Sequence, residues 1–349
     1  MVLPRVIIDI PKVIHNFQSI QRLCRQRGVA LTGVTKGVAG DFKIVKALVD
    51  AGLEELGDSR IENLERFSVF PGVNRVLLRL PGLNGLERAV SFADISLNAE
   101  QETIAALERL GIRHRIFLMV DLGDRREGVL ESEINGVARC CKGLKNIEVI
   151  GVGANFSCFA GVKPDPEKLR ALVKIATILK EEFHLPIQYV SGGNSSSLPM
   201  LYSGTLVTGV NHLRIGEGIL LGRETLTGRL LPNLFPDAFL VEAEVLQSQW
   251  KPARVDGEIG RDAFGRKPEI PEVEDGFRIL VNLGQQDTPL SGLTPLEPGI
   301  QILGGSSDYL VLASEKRLRV GSILRFLPNY WSLLALMTCP YVRKHYVTN

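Results

Sequence analysis

The chain has 349 residues, 45% of them hydrophobic, and a formal net charge of only +2. This length can bury a large core and is typical of one big domain joined to a smaller one. The near balance of charge argues against a nucleic-acid partner, and no apolar run is long enough to span a membrane, so we expect a small-molecule partner.

The beginning of the chain and its cysteines predict a cytoplasmic protein. The first residues, MVLPRVIIDIPK, lack the basic segment, long apolar core and cleavage site of a secretion signal. The five cysteines show no C-x-x-C spacing, which argues for reduced thiols and against a zinc site. We therefore expect no bound metal.

Eight short apolar runs alternate with helical segments between residues 30 and 215. Segments such as DPEKLRALVKIATILKEEF have the spacing of amphipathic helices. Eight strands that alternate with helices indicate parallel pairing, and eight is the number that closes a barrel. A doubly wound open sheet is the alternative, although no G-x-G-x-x-G opens an early helix. The predicted strands are 30–36, 54–57, 75–80, 94–97, 115–121, 148–153, 187–191 and 212–215.

The character of the sequence changes after about Leu230. Pro, Gly and β-branched residues become frequent, and short strand-like runs alternate with turns. We predict an α/β fold in which a (β/α)8 TIM barrel over residues 1–229 is followed by a C-terminal β domain over residues 230–349. The first apolar run, residues 5–10, is surplus to the eight barrel strands and is available to pair with the β domain.

Groups suited to an anion follow the last two predicted barrel strands. Catalytic groups of such barrels gather at the carboxyl ends of the strands, and phosphate often binds after the seventh and eighth. The seventh run continues into VSGGNSSS and the eighth contains LRIGEG. Glycine backbone with amides and hydroxyls suits a phosphate monoester, whereas an ordinary serine-rich turn is the alternative for the first segment.

Lys36 ends the first predicted strand and therefore faces the same edge of the barrel. A surface charge or a phosphate ligand would explain one lysine, but pyridoxal phosphate requires a lysine, a phosphate cup and a partner for its pyridine nitrogen. Arg214 can be that partner. Because a guanidinium only donates, the ring nitrogen would stay unprotonated, which favours simple proton return over transamination. An ordinary ion pair is the alternative for Arg214.

Four segments in this order carry a resemblance to a known family: VTKG, VDLGDRREG, GGNSSS and LRIGEGILLG. They resemble the fold-type III pyridoxal phosphate enzymes with an alanine-racemase-type barrel, in the branch that includes ornithine racemase and related amino acid racemases. The C-terminal segments GEIGRDAFG, LGQQD, ILGGSSDYL and NYWSLLALMTCPYV resemble the same branch. The resemblance implies a head-to-tail dimer in which the β domain of one subunit completes the active site of the other.

The resemblance also implies roles for residues at the cofactor. Lys36 matches the Schiff-base lysine, which is also one catalytic base, and Arg214 matches the arginine at the pyridine nitrogen. Ser195, Gly216 and the amide of Glu217 match the phosphate cup.

Further matches concern the cofactor tail and the substrate. Tyr341 matches a tyrosine that contacts the phosphate, and Asn155 lies where alanine racemases have a histidine near the ring. Arg126 matches an arginine that steers the substrate carboxylate. Ser307 and Asp308 match a loop that reaches the substrate site of the other subunit.

Two positions depart from the alanine racemase pattern. Gly40 lies where those enzymes have a tyrosine soon after the lysine. The tyrosine that serves as the base on the opposite face is also missing, and by count Asp262 lies nearest to its place. We therefore predict Asp262 as the second base and expect a substrate other than alanine.

These observations predict an isomerase, a pyridoxal-phosphate-dependent racemase that inverts the Cα centre of a free amino acid, with ornithine implied by the resemblance. A decarboxylase or aldolase of the same fold, a non-catalytic pyridoxal phosphate carrier and a phosphate-binding barrel without the cofactor are the alternatives. Arg214 argues against the decarboxylase and the aldolase, because both need a strong electron sink. The β domain argues against the small single-barrel carriers.

Overall fold

The computed structural model of the chain describes residues 3–262, 264–267 and 273–348. The chain divides into a barrel unit, residues 13–236, and a β unit that joins the residues up to 12 with those from 237 onward. Strand β1 (Arg5–Asp9) belongs to the β unit, and helix α1 (Ile10–Gln26) leads from it into the barrel unit. Within the described ranges, no helix is both long and apolar enough to cross a membrane.

The barrel unit contains a closed barrel of eight parallel strands, as the sequence predicts. Its first and last strands pair directly, with Ala30 opposite His212, and this pairing closes the barrel. The strands are β2 (Ala30–Val34), β3 (Glu55–Asp58), β4 (Asn74–Leu77), β5 (Ile95–Asn98), β6 (His114–Met119), β7 (Ile147–Gly153), β8 (Tyr189–Ser191) and β9 (His212–Ile215).

Helices follow the barrel strands, and the longer ones bury one apolar face each. The longest of them begins where Asp165 accepts a hydrogen bond from the backbone N–H of Lys168 at 2.8 Å, with Pro166 in its first position. Its buried residues include Leu169, Leu172 and Leu179, which recur at helical spacing. The helices are α2 (Phe42–Asp50), α3 (Ile61–Arg66), α4 (Leu86–Phe92), α5 (Gln101–Arg109), α6 (Ile134–Cys141), α7 (Pro166–Glu181), α8 (Leu198–Ser203) and α9 (Glu217–Leu221).

The β unit is a separate, mainly antiparallel sheet, as predicted. Strand β1 joins it by pairing antiparallel with the first long strand of the unit and parallel with the last. The elements are β10 (Phe239–Lys251), β11 (Gly276–Val281), β12 (Leu293–Pro295), β13 (Ile300–Gly305), β14 (Leu310–Ser314), β15 (Ile323–Pro328), α10 (Tyr330–Thr338) and β16 (Arg343–Val347). Apart from β1 and β16, the strands follow the order β12-β15-β10-β11-β14-β13.

The first barrel strand is shorter than the sequence indicates. Strand β2 ends at Val34, and Lys36 begins a single 3-10 turn that ends at Val38. The backbone N–H groups of Val38 and Gly40 both donate to the carbonyl oxygen of Thr35, at 3.0 and 3.2 Å. These two bonds turn the chain away from the sheet just before the lysine, so Lys36 lies on a turn and not on a strand.

Candidate active site

Thr35, the residue just before Lys36, holds the lysine turn to the neighbouring strand β3. The backbone N–H of Thr35 donates to the carbonyl oxygen of Gly57 at 2.9 Å. The hydroxyl of Thr35 donates to Asp58 Oδ2 at 2.8 Å, and Asn63 Nδ2 donates to Asp58 Oδ1 at 3.0 Å. Asp58 is fully buried, so Lys36 follows a rigidly anchored residue.

Gly40 occupies a position where no side chain fits. Its φ is +59°, in the left-handed region that favours glycine. A Cβ there would lie only 2.5 Å from the side chain of Asn63, which is itself bonded to Asp58. The local packing therefore explains why this position holds glycine where alanine racemases have a tyrosine.

Burial dominates the electrostatic surroundings of Lys36. It lowers the pKa of the Lys36 amine from its ordinary value; Cys158 opposes this shift and Arg126 adds to it. Asp58 and Glu127 also oppose the shift. The net lowering enlarges the neutral fraction of the amine near pH 7, which a nucleophile or a general base requires.

Arg214 on β9 is buried inside the barrel and held by three acceptors. Its Nη2 donates to the carbonyl oxygen of Ala154 and to Asn155 Oδ1, both at 2.8 Å, and its Nη1 donates to Ser191 Oγ. Burial lowers the pKa of Arg214 to about 10, so the guanidinium remains charged at neutral pH. A Cβ on Gly153 would lie 3.2 Å from Nη1, and the missing side chain therefore leaves room for Arg214.

A buried network supports Arg214 from the barrel interior. Ser191 Oγ contacts His212 Nδ1 at 2.7 Å, and His212 Nε2 contacts Glu55 Oε1 at 3.0 Å. Ser191 Oγ therefore lies between the Arg214 guanidinium and the His212 imidazole and is bonded to both. His212 therefore acts through Ser191 to fix the guanidinium.

The loop after β8 and the beginning of α9 are joined by one hydrogen bond. The backbone N–H of Gly218 donates to the buried Ser195 Oγ at 3.0 Å, which leaves the serine hydrogen available for an acceptor. Asn194 Oδ1 accepts from the N–H of Ser196 at 2.9 Å and fixes the loop. Gly193 has a φ of +107°, which accounts for glycine at the sharp turn.

The same region has the features of an anion cup. A Cβ on Gly216 would lie 3.2 Å from the carbonyl oxygen of Val34, so the backbone approaches closely there. The hydroxyl of Ser196 is buried and has no hydrogen-bond partner among the described residues. Burial raises the pKa of the Glu217 carboxyl, and a bond to Thr225 opposes this. Hydroxyls and close backbone together fit a phosphate ester.

Arg126 and Glu127 lie on the loop after β6 and form a two-point ion pair. Arg126 Nη2 donates to Glu127 Oε1 at 2.6 Å and Nε donates to Oε2. Asn155 Nδ2 also donates to Glu127 Oε1. Sequence reasoning assigned no role to Glu127, because only its position beside Arg126 is visible in the sequence and its contact with Asn155 is not.

Asp262 lies in the β unit and is engaged by its own loop. Its Oδ1 accepts from the backbone N–H groups of Phe264 and Arg266 at 2.9 and 2.8 Å, and Arg266 Nε donates to Oδ2 at 3.2 Å. The backbone bond from Arg266 is the largest cause of the lowered pKa of Asp262. These contacts hold the carboxylate within its own loop, and its predicted role as a base stays a prediction.

The other predicted site residues of the β unit lie on turns. Asp308 Oδ2 accepts from Ser307 Oγ at 2.5 Å, and Asp308 Oδ1 accepts from Gln286 Nε2 at 3.1 Å, between β13 and β14. Tyr341 lies between α10 and β16 and is 71% exposed. Across residues 3–262, 264–267 and 273–348, no group of His, Cys, Asp and Glu is arranged to hold a metal ion.

A closed parallel barrel with an anchored lysine after its first strand, a buried arginine on its last and a separate β sheet is the alanine-racemase-type architecture. Residues 8–223 match the family described as alanine racemase, N-terminal domain, and the chain belongs to this family. The predicted family is therefore confirmed.

Relatives of similar length agree with this assignment. The chain is 38% identical to ornithine racemase of Acetoanaerobium sticklandii over 98% of this chain and 99% of that protein. It is 35% identical to lysine racemase of Thermotoga maritima over 99% of both. A crystal structure of alanine racemase from Bartonella henselae with covalently bound pyridoxal phosphate has 17% identity, a TM-score of 0.75 and covers 99% of this chain and 100% of its own. The predicted enzyme class, an amino acid racemase, is confirmed.

Proposed function

We propose that this chain is a pyridoxal-phosphate-dependent racemase of a basic amino acid, with ornithine as the first candidate and Lys36 as the residue that binds the cofactor. The observation that carries the proposal is the closure of the barrel. Strand β2, which leads directly to Lys36, pairs in parallel with β9, which carries Arg214, and this supports a common location for the amine and the guanidinium at one end of the barrel. The charge interactions of Cys158 and Glu127 with both groups agree with this location.

The residues present fit the cofactor. Ser195, the close backbone at Gly216 and the amide of Glu217 would hold its phosphate, and Arg214 would donate to its ring nitrogen, with Asn155 beside it. Bound pyridoxal phosphate supplies an electron-withdrawing ring that acidifies the Cα–H bond of an attached amino acid. In this proposal Tyr341 adds a further contact to the phosphate.

Lys36 is proposed to hold and move the proton at its Nζ atom. A neutral amine is required for this, and burial of Lys36 favours the neutral form. Arg126 is proposed to orient the substrate carboxylate by charge-assisted hydrogen bonds. Asp262 is proposed as the base on the opposite face of the substrate.

Arg214 supports racemisation over other reactions of this fold. Its guanidinium has a pKa of about 10, so it stays charged at neutral pH and offers only hydrogen-bond donors. It would therefore donate a hydrogen bond to the ring nitrogen without transferring a proton to it. A cofactor ring held in this way would withdraw electrons less strongly, which would favour return of a proton to Cα over decarboxylation or aldol cleavage.

The substrate proposal is supported by the names of the two full-length relatives, ornithine racemase and lysine racemase. Both act on amino acids with a terminal amine. We also propose a head-to-tail dimer in which Ser307 and Asp308 of one subunit reach the substrate site of the other.

The test combines cofactor binding with optical rotation. Lys36→Ala should abolish both the visible absorbance of bound pyridoxal phosphate and the loss of rotation of L-ornithine. Lys46→Ala, which removes an exposed lysine of α2, is the matched control and should change neither. L-Lysine, L-arginine and L-alanine tested in parallel would define the substrate. Wild-type protein that binds no pyridoxal phosphate at saturation would contradict the proposal.

A further inference from the structure

One carboxylate links two guanidinium groups at the end of the barrel. Glu127 accepts two hydrogen bonds from Arg126, and its Oε1 also accepts from Asn155 Nδ2. Asn155 Oδ1 in turn accepts from Arg214 Nη2 at 2.8 Å. The Glu127 side chain is only 15% exposed. Glu127 therefore contacts Arg126 directly and reaches Arg214 through one amide.

The arrangement requires a carboxylate at this position. An ionised carboxyl group only accepts, so its two oxygens can receive both bonds from Arg126 and the one from Asn155. A glutamine would replace one oxygen with an NH2 group, which would face a donor of either Arg126 or Asn155. Glu127 also brings a negative charge next to Arg126, and its bond raises the pKa of that arginine although burial acts against this.

Glu127 also decides the orientation of the Asn155 amide. Because the carboxylate accepts from Nδ2, the oxygen Oδ1 must point to the other side, where Arg214 Nη2 donates to it. A reversed amide would set NH2 against the donors of Arg214 and an oxygen against the carboxylate. The carboxylate therefore acts on Arg214 without touching it.

The backbone beside Glu127 is fixed by a closed loop. The N–H of Val129 donates to the carbonyl oxygen of Met119 at 2.8 Å, and the N–H of Asp121 donates to that of Val129 at 3.0 Å. Gly128 has a φ of +122°, and a Cβ there would lie 2.5 Å from the backbone nitrogen of Asp121. Glu127 is therefore presented from a rigid element, as a group that orients other side chains should be.

We propose that Glu127 is a positioning residue that holds Arg126 for the substrate carboxylate and, through Asn155, holds Arg214 for the cofactor ring. This inference rests on the proposed function, in which the two arginines have those roles. It joins substrate binding and cofactor binding through a single side chain.

A cofactor-binding cycle tests the link to Arg214 without any activity measurement. Pyridoxal phosphate binding is measured by visible absorbance and equilibrium dialysis for wild type, Glu127→Gln, Asn155→Ala and the double variant. Glu127→Gln should weaken binding about tenfold, because a hydrogen bond to a charged group is lost. The double variant should bind as weakly as Asn155→Ala alone, because Glu127 acts through that amide. Fully additive losses, or wild-type binding by Glu127→Gln, would overturn the proposal.

Two further variants guard this test. Glu62→Gln removes an exposed carboxylate that pairs with Arg88 and should leave cofactor binding unchanged. Glu127→Asp keeps the charge with a shorter reach and should bind the cofactor with intermediate affinity. Thermal unfolding of each protein without cofactor checks the fold, and the Asp variant carries the test if the Gln variant does not fold.

Kinetics test the link to Arg126. Glu127→Gln should raise KM for the substrate about tenfold with a smaller change in kcat, and Arg126→Ala should cost less in that background than in wild type. If Glu127→Gln altered only the preference for substrates with a terminal amine, Glu127 would instead recognise the substrate side chain and the proposal would be wrong. Failure of the proposed function is separate from both outcomes, because the wild-type protein itself would then lack cofactor binding or racemisation.

Discussion

At the scale of single residues, the position of Arg214 on β9 depends on Gly153, a glycine two strands away on β7. A Cβ on Gly153 would lie 3.1 Å from Met119 Sδ and 3.2 Å from Arg214 Nη1. Such contacts are tighter than side chains normally accept, so Gly153→Ala should displace the guanidinium by a few tenths of an ångström. We expect about tenfold weaker binding of pyridoxal phosphate and a loss of about 1–3 kcal/mol in stability. Equilibrium dialysis and urea unfolding measure the two effects.

A second glycine offers a matched control for this substitution. Gly136 lies in α6, and the nearest atom to a Cβ there is Gln101 Nε2 at an ordinary 3.8 Å. Gly136→Ala should leave cofactor binding unchanged and should stabilise the helix by up to about 1 kcal/mol. Equal cofactor affinities for the two alanine variants would show that the space beside Arg214 does not matter.

At the scale of elements, the first residue of β6 is a histidine that folding buries in its neutral form. His114 is 4% exposed and contacts Ser96 Oγ on β5 at 2.8 Å. Burial lowers the pKa of His114 from 6.5 to about 4. The unfolded chain therefore binds a proton below pH 6.5 that the folded chain refuses until about pH 4. The contribution of His114 to the free energy of unfolding is fully present above pH 6.5. It is lost as the pH drops from 6.5 to about 4, by up to about 3 kcal/mol.

Removal of the titrating group should flatten this dependence. His114→Gln cannot bind a proton, so the difference in unfolding free energy between wild type and variant should shift in favour of the variant between pH 6.5 and 4. Urea unfolding at several pH values measures the free energy of unfolding of both proteins. Subtracting one from the other cancels the contributions of the other titrating groups. Gln249→Ala, which removes an exposed side chain of β10 that does not titrate, is the control and should run parallel to wild type. A difference that does not vary with pH would contradict the assignment to His114.

The elements were predictable from the sequence to the extent that their physics is local. The barrel follows from apolar runs that alternate with helical spacing, and both signals are written in neighbouring residues. The turn at Lys36 was not predictable, because bonds to the carbonyl oxygen of Thr35 end β2 within an otherwise strand-like run. Helix α10 is also short and apolar, and such a run is ambiguous between strand and helix.

The candidate site divides in the same way. Lys36, Ser195 and Arg214 lie in recognisable segments at strand ends, so their roles could be proposed from sequence. The link from Glu127 to Asn155 could not, since it joins loops that follow two different strands and depends on amide orientation. The contacts of Asp262 within its own loop could not be predicted for a similar reason. Its position in the sequence does not show which N–H groups donate to its carboxylate.

At the scale of the whole molecule, hydrogen bonds from Gln286 fix the polar turn that contains Ser307 and Asp308. The backbone N–H of Gln286 donates to the carbonyl oxygen of Ser307 at 3.2 Å, and the Gln286 amide donates to Asp308 at 3.1 Å. A Cβ on Gly284 would collide with the carbonyl group of Ser307, so the two segments pack backbone to backbone. Asp308 itself is exposed.

Mixing two inactive variants decides whether the active site is shared between two chains. If the barrel of one subunit works with the Asp308 turn of the other, Lys36→Ala and Asp308→Ala are each inactive, yet a mixed dimer contains one site with both native residues. Reversible dissociation and random reassembly of equal amounts should restore roughly a quarter of the wild-type racemase activity, since half of the dimers are mixed and each has one intact site. Light scattering before and after mixing checks that the protein is a dimer. The control mixes the Lys36→Ala variant with the double variant Lys36→Ala/Asp308→Ala, and no activity should return because neither chain has Lys36. Persistent inactivity of the mixed sample would show that each chain builds its own site, and full activity of Asp308→Ala alone would remove that residue from the site.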